Sequence, residues 1–166
     1  AEVIVQSKVD PRMRVRPNPD EVQRAAKLLV EARMPLMIVG DEVTTAKAGA
    51  KAVKLAELLG MPVTQARQIH ASFPETHPLW VGPLPVTRIS ALDFPKDPDV
   101  VINVGNKLQH NSANPIVGRG PRFIDMRIDA ASMGNVIAMD VPLVADVAFG
   151  LDDLIAAIGQ LVTPAL

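Results

Sequence analysis

The sequence Arg33-Met-Pro-Leu-Met-Ile-Val-Gly40, followed by Asp41-Glu42-Val43, decides how the rest of the chain is interpreted. Its apolar run, Leu36 to Val39, lies between a proline and a glycine and contains no polar position. A strand that is buried on both faces has this pattern, because neither face meets water. Helical patterns occupy residues 18–32 before the run and 44–59 after it. We therefore predict a central parallel strand that ends at the glycine.

A second run of the same kind, Asp99-Val-Val-Ile-Asn-Val-Gly105, also ends in glycine. If the two runs are neighbouring strands, Gly40 and Gly105 lie side by side at the carboxyl edge of the sheet. Open parallel sheets bind ligands at that edge, where the strand order reverses. The glycines could admit a nucleotide backbone there, or each could simply allow a positive φ at the end of a strand.

Composition limits the classes of protein to consider. The 166 residues suit one domain, and the 48% hydrophobic content with only 3% aromatic residues indicates a core of aliphatic side chains. A formal net charge of -1 argues against a nucleic-acid partner. No apolar run approaches the roughly 20 residues that span a bilayer, so no membrane association is expected. The absence of cysteine excludes disulfides and fits a reducing, cytoplasmic location.

The remaining patterns predict an α/β domain at residues 18–166, preceded by an extended linker at residues 1–17. Asn18 is the expected N-cap of the first helix, and Thr44 or Thr45 that of the second. Further strands are expected at 61–66, 122–128 and 136–141, an irregular connection at 67–85, and a short helix at 86–92. Asp146 begins a last helix whose apolar face is formed by Val147, Leu151, Leu154, Ile155, Ile158, Leu161 and Val162. This order predicts a doubly wound fold with helices on both faces of the sheet.

No catalytic or metal-binding constellation is recognisable in the sequence. The histidines, at 70, 77 and 110, are scattered, and no Gly-x-Ser-x-Gly, dinucleotide or Walker motif is present. Asp152 and Asp153 are adjacent on a helix, so they point about 100° apart and are interpreted as solvated charges. Four basic residues could line the mouth of a crevice and attract a diphosphate, although loop charges are ordinarily solvated: Arg67, Arg88, Lys107 and Arg119. We therefore predict no catalytic residue and no metal ligand.

Several segments in a fixed order resemble a known family. They are Arg16-Pro17-Asn18-Pro19, Ala32-Arg33-Met34-Pro35 with Ile38-Val39-Gly40, Leu59-Gly60-Met61-Pro62-Val63, Phe73-Pro74 with His77-Pro78 and Gly82, the run from Asp99 to Gly105, and Ile128-Asp129. Together they resemble the central domain of thiamine-diphosphate-dependent enzymes, such as acetolactate synthases and benzoylformate and oxalyl-CoA decarboxylases. The resemblance covers residues 12–162 and implies a six-stranded parallel sheet in the order 3-2-1-4-5-6.

The resemblance also implies that this chain is one part of a larger catalyst. In the family, a preceding pyrimidine-binding domain carries the catalytic glutamate, and a following domain with a Gly-Asp-Gly signature holds magnesium and the diphosphate. Neither feature is present here, so the chain alone should neither bind thiamine diphosphate nor catalyse a reaction. The expected role is that of a scaffold in a homo-oligomeric carboligase or decarboxylase. The linker and the loop from Phe73 to Trp80 would then contact neighbouring domains.

Some members of the family hold FAD or ADP in the crevice of this domain. The positions here that match theirs are Gly40, Thr64, Gly105, Asn106 and Asp129. FAD-binding members often have Gly-x-Gly where this chain has Gly40-Asp41-Glu42, and two carboxylates at a helix N-terminus oppose a diphosphate. We therefore favour a domain that binds no nucleotide, the alternative being a stand-alone module for FAD, ADP or a CoA-like ligand. Asp129 has a second interpretation, as the N-cap of a turn at 130–133.

Overall fold

The computed structural model describes residues 15–65, 71–84, 97–108 and 120–162. Its elements, in chain order, are α1 (Pro19–Glu31), β1 (Pro35–Val39), α2 (Asp41–Thr45), α3 (Gly49–Leu59), β2 (Val63–Gln65), β3 (Trp80–Pro83), β4 (Val100–Val104), β5 (Arg122–Arg127), β6 (Val141–Val144) and α4 (Val147–Leu161). A single 3₁₀ turn, Ala130–Ser132, follows β5. The helix predicted at 86–92 lies outside the described residues.

The six strands form one parallel sheet in the order β3-β2-β1-β4-β5-β6. The central strand is β1, with Ile38 opposite Thr64 on one side and Asn103 on the other. The two apolar runs that end in glycine are therefore neighbours, and the predicted strand order is confirmed.

The side chains of each central strand alternate between two clusters. Met37 and Val39 of β1 belong to a large cluster with the buried faces of α1, α3 and α4. Leu36 and Ile38 point to the opposite face, where they pack in a smaller cluster with Leu84, Val101 and Phe123. Because both faces are covered, β1 needs no polar residue, as its sequence indicates.

The first helix begins and packs as the sequence predicts. The side chain of Asn18 accepts a hydrogen bond from the Asp20 N–H at 2.9 Å, and this N-cap precedes a proline that the first turn tolerates. Four residues at helical spacing are buried against the sheet: Val22, Ala25, Ala26 and Leu29.

The predicted start of the second helix is wrong. Thr44 and Thr45 lie inside the short helix α2, and α3 begins only after Ala48. The Thr45 hydroxyl donates to the Asp41 carbonyl at 2.9 Å, while the Thr44 hydroxyl lies 3.0 Å from that of Ser72. Both threonines are therefore used within α2 and its contacts, which leaves α3 without a side-chain cap.

Two strands differ from the prediction. The connection predicted to be irregular contains β3, a strand of four residues that includes Gly82 and Pro83. The last strand is Val141–Val144, whereas 136–141 was predicted. It contains Pro142, which an edge strand tolerates because it needs hydrogen bonds to only one neighbour. Helix α4 also differs at its end, where Leu161 and Val162 are exposed.

Residues 15–17 lie against α4, and we call them the N-terminal strap. The Val15 carbonyl accepts a hydrogen bond from the Asp146 N–H at 3.0 Å. The guanidinium of Arg16 pairs with Asp153 and lies 4.9 Å from the ring centroid of Phe149. The rest of the predicted linker, 1–14, lies outside the described residues. None of the helices in the described ranges combines the length and hydrophobicity that crossing a membrane requires.

Candidate functional site: the carboxyl edge of the sheet

Gly40 and Gly105 meet at the carboxyl edge. The Gly40 N–H donates to the Val104 carbonyl at 2.9 Å, and the Glu42 N–H donates to the Gly105 carbonyl at 3.1 Å. A Cβ on Gly40 would lie 2.4 Å from the Asn106 Cα, and a Cβ on Gly105 would lie 2.6 Å from the Glu42 Cβ. The chain's own atoms therefore fill the space beside both glycines.

The two glycines differ in backbone conformation. Gly105 has φ +66°, in the left-handed region that glycine adopts readily. Gly40 has φ -146°, which any residue can adopt, so its conformation does not require glycine. The prediction of a positive φ is thus confirmed for Gly105 and wrong for Gly40, where close backbone packing imposes the glycine.

Glu42 joins the ends of three strands. It follows β1, its backbone bonds to Gly105 after β4, and its Oε2 accepts from the Ile128 N–H after β5 at 3.0 Å. Burial raises the pKa of this carboxyl, although the Ile128 hydrogen bond and the Arg127 charge act in the opposite direction. The carboxylate of Asp41 lies in the same first turn of α2, and its Oδ1 is buried without a hydrogen-bond partner.

Thr64 and Asn106 are both buried; Thr64 forms its hydrogen bond through the side chain and Asn106 through its main-chain carbonyl. The Thr64 hydroxyl donates to the Gly82 carbonyl at 2.8 Å, which links β2 to β3. The Asn106 carbonyl accepts from Nδ2 of Asn103 at 2.7 Å. These hydrogen bonds give each residue a structural role at the edge of the sheet.

Asp129 is exposed and begins the 3₁₀ turn. Its Oδ1 accepts from the Ala131 N–H at 3.2 Å, as an N-cap does. Hydrogen bonding by Ser132, together with this backbone bond, lowers the pKa of the Asp129 carboxyl. The alternative interpretation as an N-cap therefore describes its contacts.

A buried polar network beside the glycines was not predicted. Asp125 and Arg127, two residues apart on β5, form an ion pair with Nη2···Oδ2 at 2.9 Å, and their side chains are only 4% and 5% exposed. Asn103, the partner of Asp125 in the β4–β5 register, donates to its Oδ1 at 2.8 Å. Nη1 of Arg127 donates to the Ser132 hydroxyl at 2.8 Å. The sequence does contain a signal for this ion pair, because an acid and a base two positions apart in a strand share one face.

The other candidate residues do not converge. Lys107 is exposed, whereas Arg67, Arg88 and Arg119 lie outside the described residues, as do His70 and His110. Nε2 of His77 is 3.3 Å from the Glu57 carboxylate. Asp152 pairs with Lys51 at 2.6 Å instead of being merely solvated. Within the ranges that the structure describes, no three histidine or acidic side chains are grouped as a metal ion would need.

Two features of the edge between Gly40 and Gly105 oppose a nucleotide diphosphate. The chain's own atoms, among them the Asn106 Cα and the Glu42 Cβ, lie directly beside the two glycines. The first turn of α2, where a phosphate would meet free N–H groups, carries two carboxylates instead. Repulsion and lack of room act together against an anion at this position.

Comparison with known proteins gives a consistent result. Residues 22–154 match the family described as thiamine pyrophosphate enzyme, central domain. The chain is 30% identical over 144 residues to a probable acetolactate synthase large subunit of Methanocaldococcus jannaschii. This alignment covers 85% of this chain and 24% of the relative. It is 34% identical over 128 residues to a sulfoacetaldehyde acetyltransferase of Castellaniella defragrans, covering 74% of this chain and 21% of the relative.

Among solved structures, the benzoylformate decarboxylase of Polynucleobacter necessarius superposes with a TM-score of 0.76 at 25% identity, covering 95% of this chain and 30% of that one. A putative thiamin diphosphate-dependent enzyme isolated from Mycobacterium smegmatis gives a TM-score of 0.73 at 28% identity, covering 92% of this chain and 30% of that one. The chain thus spans less than a third of each of these proteins. It belongs to the family of central domains of thiamine pyrophosphate enzymes.

Proposed function

We propose that this chain is the middle domain of a larger thiamine-diphosphate-dependent carboligase or decarboxylase, in which it is a non-catalytic scaffold. The observation that carries the proposal is the extent of the match. An alignment that includes 85% of this chain accounts for only 24% of the acetolactate synthase relative. The remaining length of such a parent would supply a pyrimidine-binding domain before this one and a diphosphate-binding domain after it.

The buried charged side chains at the carboxyl edge of the sheet support a structural role for this domain. The buried ion pair of Asp125 and Arg127 is fully engaged with its neighbours, and Glu42 is bound to a backbone N–H. Such groups hold strand ends in place and are not presented to a substrate. Thiamine diphosphate supplies carbanion chemistry when it is bound, and with magnesium it would be held by the flanking domains.

The flanking sequence of the gene is the direct test of this proposal. We expect the reading frame to continue upstream into a domain with a catalytic glutamate and downstream into a Gly-Asp-Gly domain. The full-length protein, given thiamine diphosphate and magnesium, should then release carbon dioxide from a 2-oxo acid such as pyruvate or benzoylformate. In-frame stop codons on both sides would refute the proposal. Sedimentation and cell fractionation of the parent would test whether it is a cytoplasmic homo-oligomer.

We also infer that the five matched positions act structurally instead of binding FAD or ADP. The close packing around Gly40 and Gly105 supports this inference, as do the hydrogen bonds of the Thr64 hydroxyl and the Asp129 carboxylate. Calorimetric titration of the protein with FAD, ADP and CoA at millimolar concentration should give no saturable heat. Saturable binding of any of the three would restore the nucleotide-binding alternative.

A further inference from the structure

We propose that a groove between α1 and α4 is the surface on which the domain that follows Val162 in the parent chain docks. The proposal rests on the proposed function, because it requires a parent chain. It concerns the side of the molecule where the N-terminal strap meets the last turns of α4. We call this surface the strap groove, and its lining includes Pro17, Val22, Gln23, Ala157 and Gln160.

The strap groove is open and has an apolar floor. Its volume is about 300 Å³, and its floor includes the buried residues Pro17, Val22 and Ala157. Gln23 and Gln160 are exposed at its rim. An apolar floor with a neutral polar rim is the composition found at the centre and margin of a protein interface.

The location of the groove identifies its occupant. The strap that leads into α1 forms one wall, and the last turn of α4, which leads out of the domain, forms another. In a parent about four times as long as this chain, both connections to the neighbouring domains would pass this groove. The polypeptide after Val162 therefore starts beside it.

The end of α4 points to the same occupant. Leu154 and Ile158 are buried, but the apolar stripe that they form continues to Leu161, which is 47% exposed, and to Val162, which is 40% exposed. Leu161 lies one turn beyond Ala157, on the side of the helix that lines the groove. A domain docked immediately beyond the helix would cover these two apolar side chains.

The charge of the groove defines the chemistry of the partner. Arg16 and Asp153 both line the groove and neutralise each other in an ion pair. The rim glutamines carry no charge. The surface therefore suits apolar side chains bordered by uncharged polar groups, which is the composition of a domain interface and not that of a phosphate or nucleic-acid ligand.

Cysteine labelling of the full-length parent tests the proposal. This part of the chain has no cysteine, so single cysteines can be introduced at Gln23 and Gln160 in the groove and at Lys54 of α3, which does not line it. All three positions are exposed in this domain. We expect alkylation of Gln23→Cys and Gln160→Cys to be about tenfold slower than that of Lys54→Cys, after each rate is divided by its value in denaturant, because a docked domain must open first. Peptide mass spectrometry would assign the labelled site.

Gln23 and Lys54 provide a matched pair, since both are exposed on helices and neither substitution disturbs the core. Equal normalised rates at the groove and control positions would overturn the proposal. Protection that disappears on dilution would also overturn it, because a second copy would then be the occupant. A parent that shows the expected activity but no protection would reject the docking surface and leave the proposed function intact.

Discussion

At the level of single residues, Gly40 is the position that tolerates least change. A Cβ there would lie 2.4 Å from both the Asn106 Cα and the Gly105 carbonyl oxygen, which are backbone atoms that cannot move aside alone. We expect Gly40→Ala to lower the free energy of unfolding by about 3 kcal/mol, as overpacked cores do. Urea unfolding measures the change.

Gly159 is the natural control for this substitution. It lies in α4, and a Cβ on it would meet no atom within 4 Å. Gly159→Ala should stabilise the protein by about 0.5–1 kcal/mol, because alanine loses less backbone entropy in a helix. If both variants were neutral, the close packing assigned to Gly40 would be wrong.

The buried ion pair gives a second prediction for single residues. Arg127→Met leaves the Asp125 carboxylate buried without its cation, and we expect a loss of about 3–5 kcal/mol in the free energy of unfolding. Adding Asp125→Leu removes the stranded charge, so the double variant should be the more stable of the two. Arg122→Met, which breaks an exposed pair with Asp140, should cost less than about 1 kcal/mol. A double variant as unstable as Arg127→Met would contradict this account.

Glu42 makes stability depend on pH. Its ordinary pKa is near 4.5 and burial raises it, so between the two values the folded protein binds more protons than the unfolded chain. Its contribution to stability therefore falls as pH rises from about 4.5 through the raised pKa. Gln at this position does not titrate, and its side-chain oxygen can still accept the Ile128 hydrogen bond.

We therefore expect Glu42→Gln to gain stability relative to the unmodified protein between pH 4 and pH 7. Urea unfolding at the two pH values measures the gain. Glu31→Gln, at a site where the side chain is 62% exposed, should show no such trend. The opposite trend for Glu42→Gln would mean that burial does not govern this carboxyl.

At the level of secondary-structure elements, the sequence predicted the central strands, which are buried on both faces. It failed for the two edge strands, which pair with a neighbour on one side only. Leu36 to Val39 and Val100 to Val104 have no polar face to satisfy, so their sequences identify them without tertiary information. Strand β3 contains Gly82 and Pro83, and β6 contains Pro142. Edge strands accept such residues because one side needs no partner, and local sequence alone therefore gives weak evidence for them.

The loop before β3 shows the consequence of that failure. Within the loop from Phe73 to Trp80, which is expected to contact neighbouring domains, Phe73 is only 3% exposed and packs inside this domain. Its ring lies edge-on to His77, with centroids 5.2 Å apart, and stacks on Trp80 at 6.3 Å. The loop therefore covers the core at this point, and Phe73 is not available to another domain.

Phe73→Ala should therefore destabilise the domain by about 3–5 kcal/mol, the usual cost of removing a buried phenylalanine. Trp80 is the only tryptophan of the sequence, so its emission should shift to longer wavelength as water reaches it. Phe149→Ala, at a partly exposed site on α4, should leave the emission unchanged. Unchanged stability of Phe73→Ala would mean that its ring does not contribute to the core.

At the level of the whole molecule, topology and family were predictable, whereas the use of the carboxyl edge was not. The two glycine-ended runs predicted that β1 and β4 are neighbours, whereas the full strand order was implied by the resemblance of the ordered segments. The sequence could place Gly40 beside Gly105, but the fact that Asn106 fills the space between them depends on the path of the chain after β4. Likewise, the sequence predicted that Arg127 lies in a strand, but its burial depends on packing from distant segments.

The N-terminal strap determines where a preceding domain would connect. Arg16 holds it through the Asp153 ion pair and the ring of Phe149, contacts worth about 1 kcal/mol together at an exposed site. Arg16→Ala should therefore loosen the Val15 carbonyl from the Asp146 N–H and accelerate hydrogen exchange of that amide about fivefold. The neighbouring Ala148 N–H, which is held by the Asp146 side chain, should keep its rate. Amide exchange followed by NMR distinguishes the two. Equal acceleration at both amides would mean that the start of α4 has frayed, whereas no change at either would mean that Arg16 does not hold the strap.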